Sequence, residues 1–128
     1  MFEIYPPFGG GQEVFMSREM VICVLNEPGR LNDVLMAFLE AGVTSSTVIE
    51  TQGMGKILAS DVPLFAGFRD LFQGSKPFNH TIFAVVDDPS VTEELIVLVK
   101  DVLSDMGDEP RGIIFSLPIN TFVNLNME

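Results

Sequence analysis

Gly53-Met54-Gly55-Lys56 sets two glycines and a cation together where a Thr/Val/Ile-rich run ends. Glycines let backbone N–H groups come close to a ligand, and a lysine adds a point charge suited to phosphate. On spacing alone the same four residues also make a plain turn with a solvated cation. Other chemistries find less material. A nucleophile–base pair needs a histidine beside a Ser or Cys, and His80 and Cys23 are the sole residues of their types. His80 adjoins Asn79 at the mouth of an apolar strand, where a structural or solvent-facing role is expected. Cys23 lies inside the strand-like run Met20–Leu25 and reads as a buried small hydrophobe. Asp105, Asp108 and Glu109 are close in sequence, as are Asp87 and Asp88, but acids in so acidic a chain are mostly solvated. No metal site and no catalytic set is expected, and the chain reads as a binding protein rather than an enzyme.

The elements that must position this corner follow from hydrophobic spacing. Leu31, Val34, Leu35, Phe38 and Leu39 recur as one stripe of a helix, which Gly42 stops. Ser46–Gln52 reads as a strand. Before this helix, Met20–Leu25 is a continuously apolar and therefore central strand, broken by Asn26-Glu27-Pro28-Gly29. After Lys56, residues Ile57 to Phe78 lose periodicity, with Pro63, Gly67, Gly74 and Pro77 punctuating a long loop that holds a short helix at Leu64–Phe72. Its leucines and phenylalanines are too apolar for a disordered linker. Thr81–Val86 is a third strand. Ser90 and Glu93 read as a capping box for a helix with Val91, Leu95, Leu98, Val99 and Val102 on its buried face. Asp105–Arg111 is the exit loop, and Gly112–Ile119 a fourth strand whose Pro118 marks an edge or an end. The order is that of an α+β, ferredoxin-like βαββαβ sandwich with a long loop between strands two and three. Residues 1–18 read as a separate arm, and 19–128 as the domain.

The bulk numbers exclude several functions. The 128 residues carry a net charge of −11, against the basic footprint nucleic acid requires. The charge also disfavours an anionic membrane surface, and no apolar run nears the ~18 residues of a membrane span. Nor does MFEIYPPFGGG have the basic-then-apolar order of a signal peptide. A single cysteine permits no internal disulfide, which suits a reducing cytoplasm. A hydrophobic share of 47% and mean hydropathy of +0.34 in so small a chain imply burial between subunits.

With the elements in order, Glu27-Pro28-Gly29-Arg30-Leu31-Asn32-Asp33-Val34, Gly42-Val43, Thr47-Val48-Ile49-Glu50 and Gly53-Met54-Gly55-Lys56 resemble the P-II signalling proteins. Gly112-Ile113-Ile114-Phe115-Ser116-Leu117-Pro118 resembles that family's last core strand, and the resemblance covers about residues 20–122. It implies a homotrimer that binds an adenine nucleotide, often with 2-oxoglutarate, in clefts between subunits. It further implies regulation of an enzyme or transporter of nitrogen metabolism through the 57–78 segment, the family's T-loop. The implied cleft residues are Gly29, Thr47, Gly53, Gly55, Lys56 and Gly112. The length and aromatic content of the 57–78 segment, apart from the resemblance, mark Phe65, Phe68 and Phe72 as contacts either with a protein partner or with its own domain or a neighbouring subunit.

The departures from the family pattern are as informative. The B-loop, rich in glycine and lysine in the family, reads Ser104-Asp105-Met106-Gly107-Asp108-Glu109-Pro110-Arg111, whose acids repel a triphosphate. A family lysine falls on Ile113, two phosphate-holding arginines fall near Asn124 and Asn126, a glutamine falls on Ile57, and the modified tyrosine falls near Phe65. Nucleotide affinity is therefore expected to be weakened. Asn26-Glu27-Pro28-Gly29-Arg30-Leu31 also resembles the corner of ACT-type amino-acid-binding modules. That alternative has the same fold but a much shorter connection between strands two and three.

Overall fold

The computed structural model describes residues 17–61 and 78–126. The elements run β1 (Glu19–Leu25), α1 (Leu31–Glu40), β2 (Thr47–Thr51), α2 (Met54–Asp61), β3 (Asn79–Val86), α3 (Pro89–Val102) and β4 (Gly112–Pro118). The strands form one sheet in the order β2-β3-β1-β4, antiparallel throughout. This is the expected ferredoxin-like topology, with the apolar β1 inside the sheet and the proline-ended β4 at its edge. The arm before residue 17, the helix expected at Leu64–Phe72, and Phe65, Phe68 and Phe72 lie outside the described residues.

α1 buries Val34, Ala37 and Phe38, with Ala41 continuing the stripe just past its end. The face is rotated from the expected one: Leu31 and Leu35 pack at its margin and Leu39 is 52% exposed. Ala37 and Ala41 are buried where the expected stripe has Leu39. Termination is as expected, though at Glu40. Gly42 takes φ +92°, its N–H donates to the Leu39 carbonyl at 2.9 Å, and Val43 N–H donates to Phe38 at 2.8 Å. These two bonds satisfy carbonyls that the end of a helix leaves without partners.

α3 starts differently from the expected capping box. Asp88, extended at φ −158°, caps it by accepting from the Ser90 N–H at 2.7 Å, and Pro89 occupies the first position. Ser90 is thus the donor in the first turn and not the cap. The helix buries Thr92, Leu95 and Val99, and the hydroxyl of Thr92 donates to Glu19 Oε1 at 2.8 Å. Together with Val21, Cys23, Leu25, Ile82, Ala84 and Val86 of the sheet, α1 and α3 enclose the core on one side.

Strand alternation then fixes the other face. The register aligns Thr47, Phe83, Ile22 and Phe115 in one row across all four strands. Val85, Met20 and Leu117 form a second row, and Ile49, Thr81, Val24 and Ile113 a third. This mostly apolar face is open: Ile113, Phe115 and Leu117 are 62%, 44% and 42% exposed.

The connection after β2 departs from the sequence reading. Met54–Asp61 is α2, so the supposed glycine–lysine corner opens a helix, and the first five residues of the expected long loop are helical. Ile57 N–H donates to the Gly53 carbonyl at 3.1 Å, closing the first turn despite the glycine cost within it.

Candidate functional site

The end of the sheet where β1 and β2 finish and β3 and β4 begin gathers most of the expected cleft residues. Leu25 of β1 pairs with both His80 and Gly112, and His80 pairs with Glu50. Gly29 follows β1, Gly53 follows β2, and Gly55 and Lys56 stand in the first turn of α2, so all three segments lie at this end. Thr47 does not: it pairs with Phe83, three register positions before Glu50 and at the opposite end of β2. Nor do the segments meet within one chain. β2 and β4 are opposite edges, three inter-strand spacings or about 14 Å apart.

Each glycine has a different local reason. Gly112 adopts φ +132°, and a Cβ there would fall 2.0 Å from the Val24 carbonyl oxygen. Only glycine fits where β4 meets β1 this closely. Gly29 donates its N–H to Glu27 Oε2 at 3.1 Å, so a carboxylate already occupies the amide that a ligand would use. Around Gly53 a Cβ would meet nothing within 4 Å. The approach of a ligand to Gly53 is therefore permitted by the backbone but not demanded by it.

The exit loop after α3 is held by two arginines. Arg30 Nε donates to Asp33 at 2.9 Å, Nη1 to Asp105 at 2.8 Å, and Nη2 to the Val102 carbonyl. It joins the start of α1 to the end of α3. Asp105 is therefore an ion-pair partner and not simply a solvated acid. The Arg30 guanidinium, chiefly by its hydrogen bond, holds the Asp105 carboxyl below its usual range. Arg111 Nε donates to Leu103 O at 2.9 Å, and its Nη2 donates to Met106 O at 3.3 Å and Gly107 O at 3.1 Å. Both guanidiniums thus satisfy carbonyls at the helix C-terminus, a favourable place for cations. Asp108, Glu109 and Pro110 remain exposed beside them.

Positions where the resemblance expects cations are indeed neutral in their settings. Ile113 projects from the open sheet face. Asn124 and Asn126 lie in the exposed tail, where Asn126 N–H donates to Asn124 Oδ1 at 2.9 Å. Cys23 is buried, and desolvation pushes its thiol up to about 11. His80 faces the helix side, its Nδ1 buried without a hydrogen-bond partner and its ring edge-on to Phe78 at 5.6 Å. No group of three or more potential metal ligands occurs among the described residues. No described helix is long and apolar enough to cross a membrane.

Two features escaped the sequence. Thr51 bonds to Asn79 and, at 2.8 Å, to Thr81, while Asn79 Nδ2 donates to Asn26 Oδ1 at 3.5 Å. This polar patch ends the open apolar face beside the candidate cleft. Its members come from three strand ends and become neighbours only through register. The second is a cleft of about 320 Å³ between α3 and β4, walled by residues of three separate elements.

No protein-family model and no curated protein matches the chain. Solved structures do. The PII protein of Arabidopsis thaliana bound to citrate superposes with a TM-score of 0.61 at 19% identity, covering 85% of this chain and 83% of that one. The B. subtilis GlnK–ATP complex gives 0.59 at 20% identity, covering 85% and 90%. The chain therefore has the ferredoxin-like fold of the PII proteins.

Proposed function

We propose that the chain is a PII-like regulator that assembles as a homotrimer and binds a small effector between subunits. The observation that carries this reading is the open sheet face. Rows centred on Ile22, Phe83 and Phe115 leave an apolar surface that water disfavours and a second copy of the same surface suits. The proposed cleft residues Gly53, Gly55 and Lys56 lie at one edge of that sheet, and Gly112 at the other, with Gly29 at the same end. A cleft using both edges needs two chains. Thr47, lying on the open face, contributes from the subunit contact.

The effector of this reading carries less charge than ATP. Losing two charge-assisted contacts, at ~1.5–3 kcal/mol each, weakens a polyphosphate by a hundredfold or more. A nucleoside monophosphate or small carboxylate suits what remains; the superposed PII and GlnK structures hold citrate and ATP. Signalling to a target enzyme or transporter, in nitrogen metabolism and in the cytoplasm, is assigned to the 57–78 segment with Phe65, Phe68 and Phe72.

Light scattering after gel filtration tests the assembly, with a mass three times the 14.1 kDa chain expected. A monomer or dimer would refute the trimer. Calorimetric titration of ATP, ADP, AMP, 2-oxoglutarate, citrate and amino acids tests the effector. Micromolar ATP binding would overturn the weakened-nucleotide reading, and tight amino-acid binding would favour the ACT-like alternative.

A further inference from the structure

The cleft between the last turn of α3 and the start of β4 lies within one chain, on the helix side of the sheet. Cys23, Leu25, Val99, Leu103 and Ile114 give it an apolar wall. Its polar lining is Lys100, Ser104 and Arg111. Lys100 and Arg111 line the cleft and, among the described residues, no Asp or Glu does, a local reversal in a chain of net charge −11. The Arg111 guanidinium is committed to the carbonyls of Leu103, Met106 and Gly107. Lys100, exposed in the last turn of α3, is left as the cation at the rim. Cys23, its thiol pushed up to about 11 by burial, stays neutral and extends the apolar wall.

We propose that this cleft binds a small amphipathic monocarboxylate, its apolar body against Leu25, Val99, Leu103 and Ile114 and its carboxylate at Lys100. The volume sets the size. At ~30 Å³ per small heavy atom, about ten non-hydrogen atoms fit, which is an acid of roughly eight carbons. The wall sets the charge. A second anionic group would rest on apolar side chains and lose its hydration without a partner. The site goes beyond the effector cleft proposed above: the two share Gly112, but this one opens on the helix side and is formed within one chain, so it does not depend on assembly.

Sodium octanoate titrated into the full chain, with Ile, Leu and Val methyls observed by NMR, tests the site. Saturable shifts are expected at the methyls of Val99, Leu103 and Ile114, with a dissociation constant on the order of 1 mM or tighter. Lys100→Glu, on the exposed helix face, should weaken binding several-fold, and uncharged octanol should bind the native chain correspondingly less well. Ile114→Trp, at a half-buried strand position, should fill the cleft and abolish the shifts while methyls elsewhere keep their native positions. The proposal is overturned if no saturable shift occurs at these methyls, or if shifts concentrate on Ile22 and Ile113 of the open face. Equal binding of octanol and octanoate, unchanged by Lys100→Glu, would overturn it as well.

Discussion

Gly112→Ala puts the junction of β1 and β4 to the test. The backbone there has φ +132°, a conformation that costs a side-chain-bearing residue about 1–3 kcal/mol. Strain alone would be tolerable, but the new Cβ would also lie 2.0 Å from the Val24 carbonyl oxygen and 3.0 Å from its carbon. Those atoms belong to a central strand paired on both sides, so they cannot yield as a flexible side chain would. Relief must come from β4, whose first residue moves away. That movement breaks the Leu25–Gly112 pairing and the bond from Asn26 N–H to Arg111 O at 3.0 Å, each worth about 1 kcal/mol. The sum is a loss of about 3–5 kcal/mol, a large fraction of a small domain's stability. Urea unfolding followed by circular dichroism measures it. Gly53→Ala is the matched control: its Cβ meets nothing within 4 Å, so a change within ~0.5 kcal/mol is expected. A Gly112→Ala loss below ~1 kcal/mol would refute the claim that glycine is required here by steric fit.

Phe38→Ala should cost about 3–5 kcal/mol in the same melts, because Phe38 is 1% exposed and packs between α1 and the sheet. Asp105→Asn should lower the unfolding midpoint at neutral pH. The Asp105 carboxyl is held below its unfolded value by Arg30, so its contribution is present above pH ~4 and is lost as acid titrates the folded carboxyl. The gap between native and variant midpoints should therefore close as pH falls below ~4; a gap that persists in acid would assign the loss to something other than this charge. Phe115→Glu places a charge on a position already 44% exposed in one chain. On the proposed trimer, a mass falling to that of a monomer with native circular dichroism is expected, and an unchanged trimer mass would detach the open face from assembly.

The alternation of stripes was legible because β1, β3 and α3 bury what their hydropathy says they bury. Val21, Cys23 and Leu25 alternate inward, and Leu95 and Val99 line α3. Hydropathy misled on the face of α1. Leu39 outranks Ala37 and Ala41 on any hydrophobicity scale, yet the alanines face the core. Propensity misled at α2, where Gly53, Gly55 and the preceding strand argue for a turn and the chain nevertheless closes a helical bond from Ile57 to Gly53. The cap of α3 could have been found, since Asp88-Pro89 offers both a capping carboxylate and a proline suited to the first helical position. The placement of Gly29, Gly53 and Gly112 at one end of the sheet followed from topology. The commitment of Arg30 and Arg111 did not, because their carbonyl partners are set by how α3 ends.

Those two commitments bear on what a nucleotide would meet. Arg30 and Arg111 are the two cations that hold the exit loop, and each closes a piece of structure. Arg30 carries two carboxylates and the Val102 carbonyl; Arg111 carries three carbonyls. Recruiting either to phosphate would leave helix-end carbonyls without those donors, and recruiting Arg30 would also free Asp105 to repel the ligand. Each bond given up costs about 1 kcal/mol before any phosphate contact is gained. A polyphosphate would therefore have to reorganise the loop to be held by it. An effector with one negative charge, as proposed above, makes no such demand, and the arginine clamps can stay closed.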